Sequence, residues 1–76
     1  MPTVLRIRGF KFFFFSEEGT EPVHVHVRRG DGVAKFWLNP VKLEYNEGFK
    51  KQELATVLAL VRGHEAELVQ KWNEIE

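Results

Sequence analysis

The fold of this chain is decided by one short stretch, Pro22-Val23-His24-Val25-His26-Val27. Three valines alternate with two histidines, so a β-strand would place all the valines on one face and both histidines on the other. The valine face suits a core, while the opposite face carries two ionisable rings about 7 Å apart along the strand. We therefore predict a strand here, with a sheet built around it.

The segments on either side repeat the alternating pattern. Alternation over residues 3–8, 33–38 and 41–45 predicts three further strands, and a run of four phenylalanines at 12–15 predicts a central strand covered on both faces. Turn-forming segments that contain glycine separate several of these runs. The sheet is therefore expected to occupy residues 3–45.

The spacing of apolar residues changes to three and four between Lys51 and Ile75, which predicts an amphipathic helix. Gly63 is its weakest position and the place where it can bend. Strands followed by a helix indicate an α+β domain. We predict a single domain over residues 1–76: an antiparallel four- or five-stranded meander at 3–45, then one long C-terminal amphipathic helix at 51–75 packed on one sheet face.

Composition narrows the function classes. Lys+Arg and Asp+Glu are both 11, so the formal net charge is +0, which argues against a general polyanion binder. The chain has no cysteine, which fits a reducing compartment. No apolar run approaches the roughly 18 residues that span a bilayer. We predict a cytoplasmic protein with no membrane association.

Several segments together resemble one bacterial family, called domain of unknown function 4160. They are residues 1–7, the aromatic strand, Glu21–Val27, Ala34–Leu38, Gly48-Phe49 and Trp72–Glu74. The family has no established activity. The resemblance implies a partner from a second small family, domain of unknown function 2442, in a suspected toxin–antitoxin pair. Lys50 stands where relatives commonly have a serine cap, which leaves Glu53 to complete half of a capping box.

The predicted outer face of the sheet collects the candidate binding residues. They are Arg6, Arg8, Arg28, Lys35 and Trp37, beside His24 and His26. Arginines bind phosphate and rings stack on bases, so this face suits a protein partner or single-stranded RNA. The leading interpretation is an interaction module, as one half of a toxin–antitoxin pair. The alternatives are an RNA-binding or RNA-cleaving protein with His24 or His26 as general acid or base, and a solvated face without a ligand. Whether the chain is an enzyme stays open.

A metal site is a further alternative. His24 and His26 project the same way from one strand, which is a chelating geometry for zinc. Zinc needs at least a third ligand, and the sequence offers His64, Glu17, Glu18 and Glu21. We expect His64 to be a half-buried helix residue with a local hydrogen bond.

The predicted helix is longer than the sheet that it covers. Its length is about 37 Å, whereas a six-residue strand spans roughly 20 Å. The second half either bends at Gly63 and packs back, or projects and docks on another chain. The sequence favours docking, with Leu68, Trp72 and Ile75 as the contact residues of a homodimer or of a complex with a protein partner.

Overall fold

Five antiparallel strands form a meander in which each strand pairs with its neighbours in the sequence. The computed structural model describes residues 3–14 and 21–75, with side chains for residues 5–14 and 21–74. The strands are β1 (Thr3–Ile7), β2 (Phe10–Phe13), β3 (His24–Arg29), β4 (Gly32–Trp37) and β5 (Lys42–Glu47). Two helices follow, α1 (Lys51–Gly63) and α2 (Glu65–Ile75). The predicted α+β fold class is confirmed.

Some sequence-based predictions lie outside the described residues. These are the position of Phe15, the loop at 16–20 with the candidate ligands Glu17 and Glu18, and the side chain of Ile75 as a contact residue.

Two tight turns fix the register of two strand pairs, β1 with β2 and β3 with β4. Arg8 and Gly9 join β1 to β2 with φ angles of 54° and 83°, the pair of positive values that two-residue hairpins favour. Gly30, with φ 58°, begins the turn between β3 and β4, where Arg29 pairs with Gly32. Because both turns hold only two residues, they determine which residues face each other next to the turn in the β1–β2 pair and in the β3–β4 pair.

The central strand is β3, and its residues from His24 to Val27 are buried on both faces. Val25 and Val27 are fully buried, as the alternation predicts. Val27 pairs with Phe12 on one side and Ala34 on the other, so all three lie on the face that the helices cover, here called the inner face. The buried hydrophobic residues are Phe10, Phe12, Phe14, Val25, Val27, Ala34, Phe36, Leu38, Phe49, Val57, Val61, Leu68 and Trp72. Phe12 and Phe13 of the phenylalanine run belong to β2, which lies beside the central strand.

The helix begins where the sequence places it. Lys50 precedes the first turn and donates its backbone N–H to Glu53 Oε1 over 3.1 Å. The lysine side chain has no hydrogen-bond acceptor for the backbone N–H of Glu53, so only half of a capping box forms, as predicted.

The C-terminal segment is two helices and not one. His64 leaves the helical conformation, with φ −117° and ψ 16°, directly after Gly63. Its backbone N–H donates to Leu60 O, its ring Nδ1–H donates to the same oxygen over 2.9 Å, and its own carbonyl accepts from the Leu68 N–H. The break therefore costs few backbone hydrogen bonds.

The expectation that the second half projects is wrong for this structure. Leu68 is fully buried and Trp72 is 7% exposed, both within the chain's own core. A continuous helix from 51 to 75 would measure about 37 Å. The longest extent of the molecule is only 32 Å. Bending at residues 63–64 lets the apolar stripe stay on the sheet, which removes the reason to seek another chain for Leu68 and Trp72.

The edge strand β5 contains a bulge. Phe36 pairs with Leu43 and the preceding Lys35 pairs with Tyr45, so Glu44 is the extra residue. Leu43 therefore points to the inner face and Tyr45 to the opposite, outer face. Simple alternation had suggested a shared face for the two.

Candidate binding face

Three cations form a straight row across the outer face, which is the face opposite the helices. Arg6 of β1 pairs with Lys11, and Lys11 pairs with Arg28 of β3. Lys11 was not among the predicted site residues. All three side chains are exposed. Neighbouring strands lie about 4.8 Å apart, so this cationic row extends over roughly 10 Å.

The cationic row is electrostatically unbalanced. Like charges directly opposite each other on a sheet are destabilising. No ion pair links Arg6, Lys11 or Arg28 to any residue that the structure describes. The next residue along the row is the apolar Val33, and the only acid in line is Glu47, at the far edge of the sheet. An anion bound over the row would therefore relieve repulsion within it.

The histidines lie on the same sheet face as this row but are enclosed. His24 is fully buried and His26 is 3% exposed. The His26 ring stacks on Phe13 at 5.5 Å between centroids. The two histidine rings meet edge to face at 5.3 Å. The expectation of an exposed histidine pair is therefore wrong for this structure.

His24 is enclosed because the second helix reaches its end of the sheet. Its ring lies 4.9 Å from that of Trp72 and 5.6 Å from that of Trp37. The ring Nδ1 lies 2.8 Å from Pro22 O. Because a carbonyl can only accept, Nδ1 carries the proton in this bond. Trp72 also contacts Phe14 edge to face at 5.2 Å. One tryptophan therefore packs on both Phe14 and His24, at the end of the sheet where β2 stops and β3 starts.

Lys35 and Trp37 are held within the protein as well. Lys35 is 7% exposed, and its Nζ lies 2.8 Å from Glu21 Oε1 and 4.6 Å from the centre of the Trp37 ring. Trp37 is half-buried and donates its indole N–H to Glu44 Oε1 over 3.1 Å. Lys35 is therefore less accessible than its place on the predicted binding face suggested, whereas part of Trp37 stays open to solvent.

The remaining predicted cation, Arg8, lies in the β1–β2 turn and not in the row. It is exposed, and its carbonyl accepts from Arg29 Nη1 over 3.3 Å. Arg6 and Arg28 are the two predicted binding residues that the structure brings into line. The signal for Lys11 was present in the sequence, because a two-residue turn at Arg8-Gly9 pairs residue 6 with residue 11.

Arg29 is a further residue that sequence reasoning missed. It stands over the Phe10 ring at 4.1 Å and pairs with Glu53 at 2.9 Å, which ties β3 to the start of α1. The Lys50 backbone N–H, followed by the Arg29 guanidinium, lowers the pKa of the Glu53 carboxyl below its ordinary value. Continuing the alternation from Val25 and Val27 would have placed Arg29 on the inner face.

A metal site is not assembled by the residues that the structure describes. Glu21 Oε1 lies 3.8 Å from His24 Nδ1, but no cluster of three or more potential ligands is present among them. His64 lies between the two helices, is half-buried as expected, and donates its ring N–H to Leu60 O. Zinc binding stays a prediction, which a rise in melting temperature on adding zinc would test.

The match to known proteins covers most of the chain. The family model described as a domain of unknown function, DUF4160, matches residues 9–73. This chain belongs to the DUF4160 family. Two of the three cations of the row, Lys11 and Arg28, fall within the matched DUF4160 region. Neither a curated protein nor a solved structure matches the chain. Across its described residues, this DUF4160 member has no helix long and apolar enough to cross a membrane.

Proposed function

We propose that this chain is a small interaction module that binds single-stranded RNA across the outer face of its sheet. The observation that carries the proposal is the cationic row of Arg6, Lys11 and Arg28. Three exposed cations in a line present one positive charge per strand to a flexible chain of phosphates. Such a chain can follow the row and neutralise all three charges.

Aromatic side chains on the same sheet face as the row support a nucleic acid ligand. Phe13 and Trp37 are half-buried and Tyr45 is 39% exposed, all on the outer face. Partly exposed rings on the same face as a basic track are the combination that binds unpaired bases by stacking. The module would hold the backbone with its cations and the bases with these rings.

The burial of the histidines favours binding over cleavage. A general acid or base must come within hydrogen-bond reach of the substrate. His24 and His26 are enclosed by aromatic side chains, and the His24 Nδ1–H is occupied by Pro22 O. In this conformation both rings serve the packing of the outer face, so we assign them a supporting role.

Fluorescence anisotropy with a labelled oligouridine of about ten nucleotides tests the proposal. With three phosphate contacts, the logarithm of the binding constant should fall with the logarithm of salt with a slope of about −2. The variant R6Q/K11Q/R28Q should lose most of the affinity and nearly all of the slope. The charge-matched control K50Q/K51Q/R62Q changes three exposed cations of the helical region and should bind like the original protein.

Two outcomes of the anisotropy experiment would contradict RNA binding. Either no binding at about 50 mM salt, or equal losses in the two triple variants, would show that the cationic row is not an RNA site.

A second candidate is an acidic segment of a partner protein, as in one half of a toxin–antitoxin pair. The observation that favours it is the formal net charge of +0, because general nucleic acid binders are usually basic. Co-expression with the product of a neighbouring gene tests it. A stable complex that R6Q/K11Q/R28Q loses and K50Q/K51Q/R62Q keeps would support a protein ligand, and no complex would count against it.

A further inference from the structure

The exposed edge of β5 has a pattern that can pair with itself. All six of its residues are exposed, and β5 is the last strand in the sheet order. Its sequence contains no proline, and its large hydrophobic residues Leu43 and Tyr45 are each 39% exposed. Edge strands of this kind can add a further strand by backbone hydrogen bonding.

The bulge makes the order of faces along β5 the same in both directions. Lys42, Tyr45 and Glu47 pair with Trp37, Lys35 and Val33, so they lie on the outer face. Leu43 and Asn46 pair with Phe36 and Ala34, so they lie on the inner face. Glu44 accepts from the Trp37 indole and therefore also lies outward. Read from either end, the order is outer, inner, outer, outer, inner, outer.

We infer that β5 pairs antiparallel with β5 of a second copy of this chain. A two-fold axis normal to the sheet keeps outer faces together, and this symmetry makes both halves of the contact identical. Lys42 then faces Glu47 of the partner subunit, Leu43 faces the partner's Asn46 and Glu44 faces the partner's Tyr45. Every pair matches in face.

Charge complementarity across the contact also favours this register. The two outermost pairs join Lys42 to the partner's Glu47 and Glu47 to the partner's Lys42, so opposite charges meet at both ends of the contact. Moving the partner by one or two residues in either direction places an outer residue opposite an inner one. Those registers are disfavoured because, in each mismatched pair, one side chain belongs to the outer face of the joined sheet and the other to the inner face.

The contact is small, because only one strand of each copy takes part. We therefore expect a weak dimer that dissociates on dilution, as is usual for interfaces at the low end of the size range. Sedimentation velocity between about 10 and 500 µM should show a shift from monomer to dimer.

Charge reversal provides the decisive experiment. K42E places two acids opposite each other at both ends of the contact, and E47K places two cations there. Each variant alone should dimerise at least tenfold more weakly than the original protein, with an unchanged circular dichroism spectrum. An equimolar mixture of the two restores opposite charges at both ends and should form a heterodimer. The double variant K42E/E47K should dimerise like the original protein.

A control reverses a charge elsewhere. K51E changes an exposed cation of α1 and should leave dimerisation unchanged. A protein that stays monomeric up to about 500 µM would overturn the inference. A dimer that K42E and E47K do not weaken, or a mixture that fails to restore association, would overturn it too. Loss of RNA binding in R6Q/K11Q/R28Q would not affect these outcomes, because none of those cations lies on β5.

Discussion

His24 is the polar side chain that the fold encloses most completely, and it joins parts of the chain that are distant in sequence. Its ring touches Trp37 of β4 and Trp72 of α2, while its Nδ1–H donates to Pro22 O. A histidine here supplies a flat aromatic surface and a hydrogen-bond donor at once. The residue thus secures the helix end against the sheet.

Replacing His24 should therefore destabilise the protein. His24→Ala leaves a cavity between two tryptophans and an unpaired carbonyl, and should cost about 3 kcal/mol of unfolding free energy. A domain of this size has only about 3–5 kcal/mol in total, so the variant should keep at most about 2 kcal/mol. Urea denaturation measures the effect. His64→Ala is the control: that ring is half-buried and should cost about 1 kcal/mol. Equal small losses would show that His24 has no such role.

Glu53 should contribute a pH dependence to stability. Its pKa is lowered in the folded protein, first by the Lys50 N–H and then by Arg29. A lowered carboxyl pKa stabilises the fold above the unfolded value, and this stabilisation is lost as pH falls through the folded value. Unfolding midpoints measured from about pH 6 down to pH 3 should thus fall more steeply for the original protein than for Glu53→Gln. Parallel curves would contradict the assignment.

At the scale of elements, the two helices show what sequence periodicity could and could not establish. The apolar stripe predicted the residues that reach the core, including Leu68 and Trp72. It could not decide whether they reach the core of the same chain, because the stripe is nearly continuous through Gly63. The His64 ring N–H donates a hydrogen bond to Leu60 O. This local bond lets the chain change direction while the apolar stripe stays on the sheet.

The helix break should survive removal of the glycine. A Cβ added at Gly63 meets nothing within 4 Å, and the change of direction occurs at His64. Gly63→Ala should thus stabilise the protein by up to about 1 kcal/mol through helix propensity. In a Trp37→Phe background, Trp72 fluorescence should keep the blue emission of a buried indole. Destabilisation, or a red shift of that emission, would show that Gly63 itself makes the bend.

The alternation of side chains along the strands likewise predicted some features of the sheet and not others. It correctly separated Val25 and Val27 from His24 and His26, but it could not reveal that both faces are covered at this end of the sheet. The cover of His24 includes Trp72, whose position depends on the bend in the helical region. Likewise, the bulge at Glu44 moved Tyr45 to the outer face, and nothing in the local sequence predicts a bulge.

At the scale of the whole molecule, charge is arranged and not merely balanced. The net charge is +0, yet the meander aligns Arg6, Lys11 and Arg28 on one face. The sequence contained all three cations, but their alignment depends on the pairing of β1 with β2 and of β2 with β3. The proposed RNA binding depends on this alignment, because a scattered set of the same charges would not follow a phosphate chain.

Amide NMR spectra recorded during a titration with oligouridine test that claim most directly. We expect the largest shift changes at Arg6, Lys11 and Arg28 and at the outer-face rings Phe13 and Tyr45. We expect little change at Lys51 and Arg62, which are exposed cations of α1. Changes centred on the helices, or a spectrum that does not respond to the oligonucleotide, would contradict RNA binding along the row.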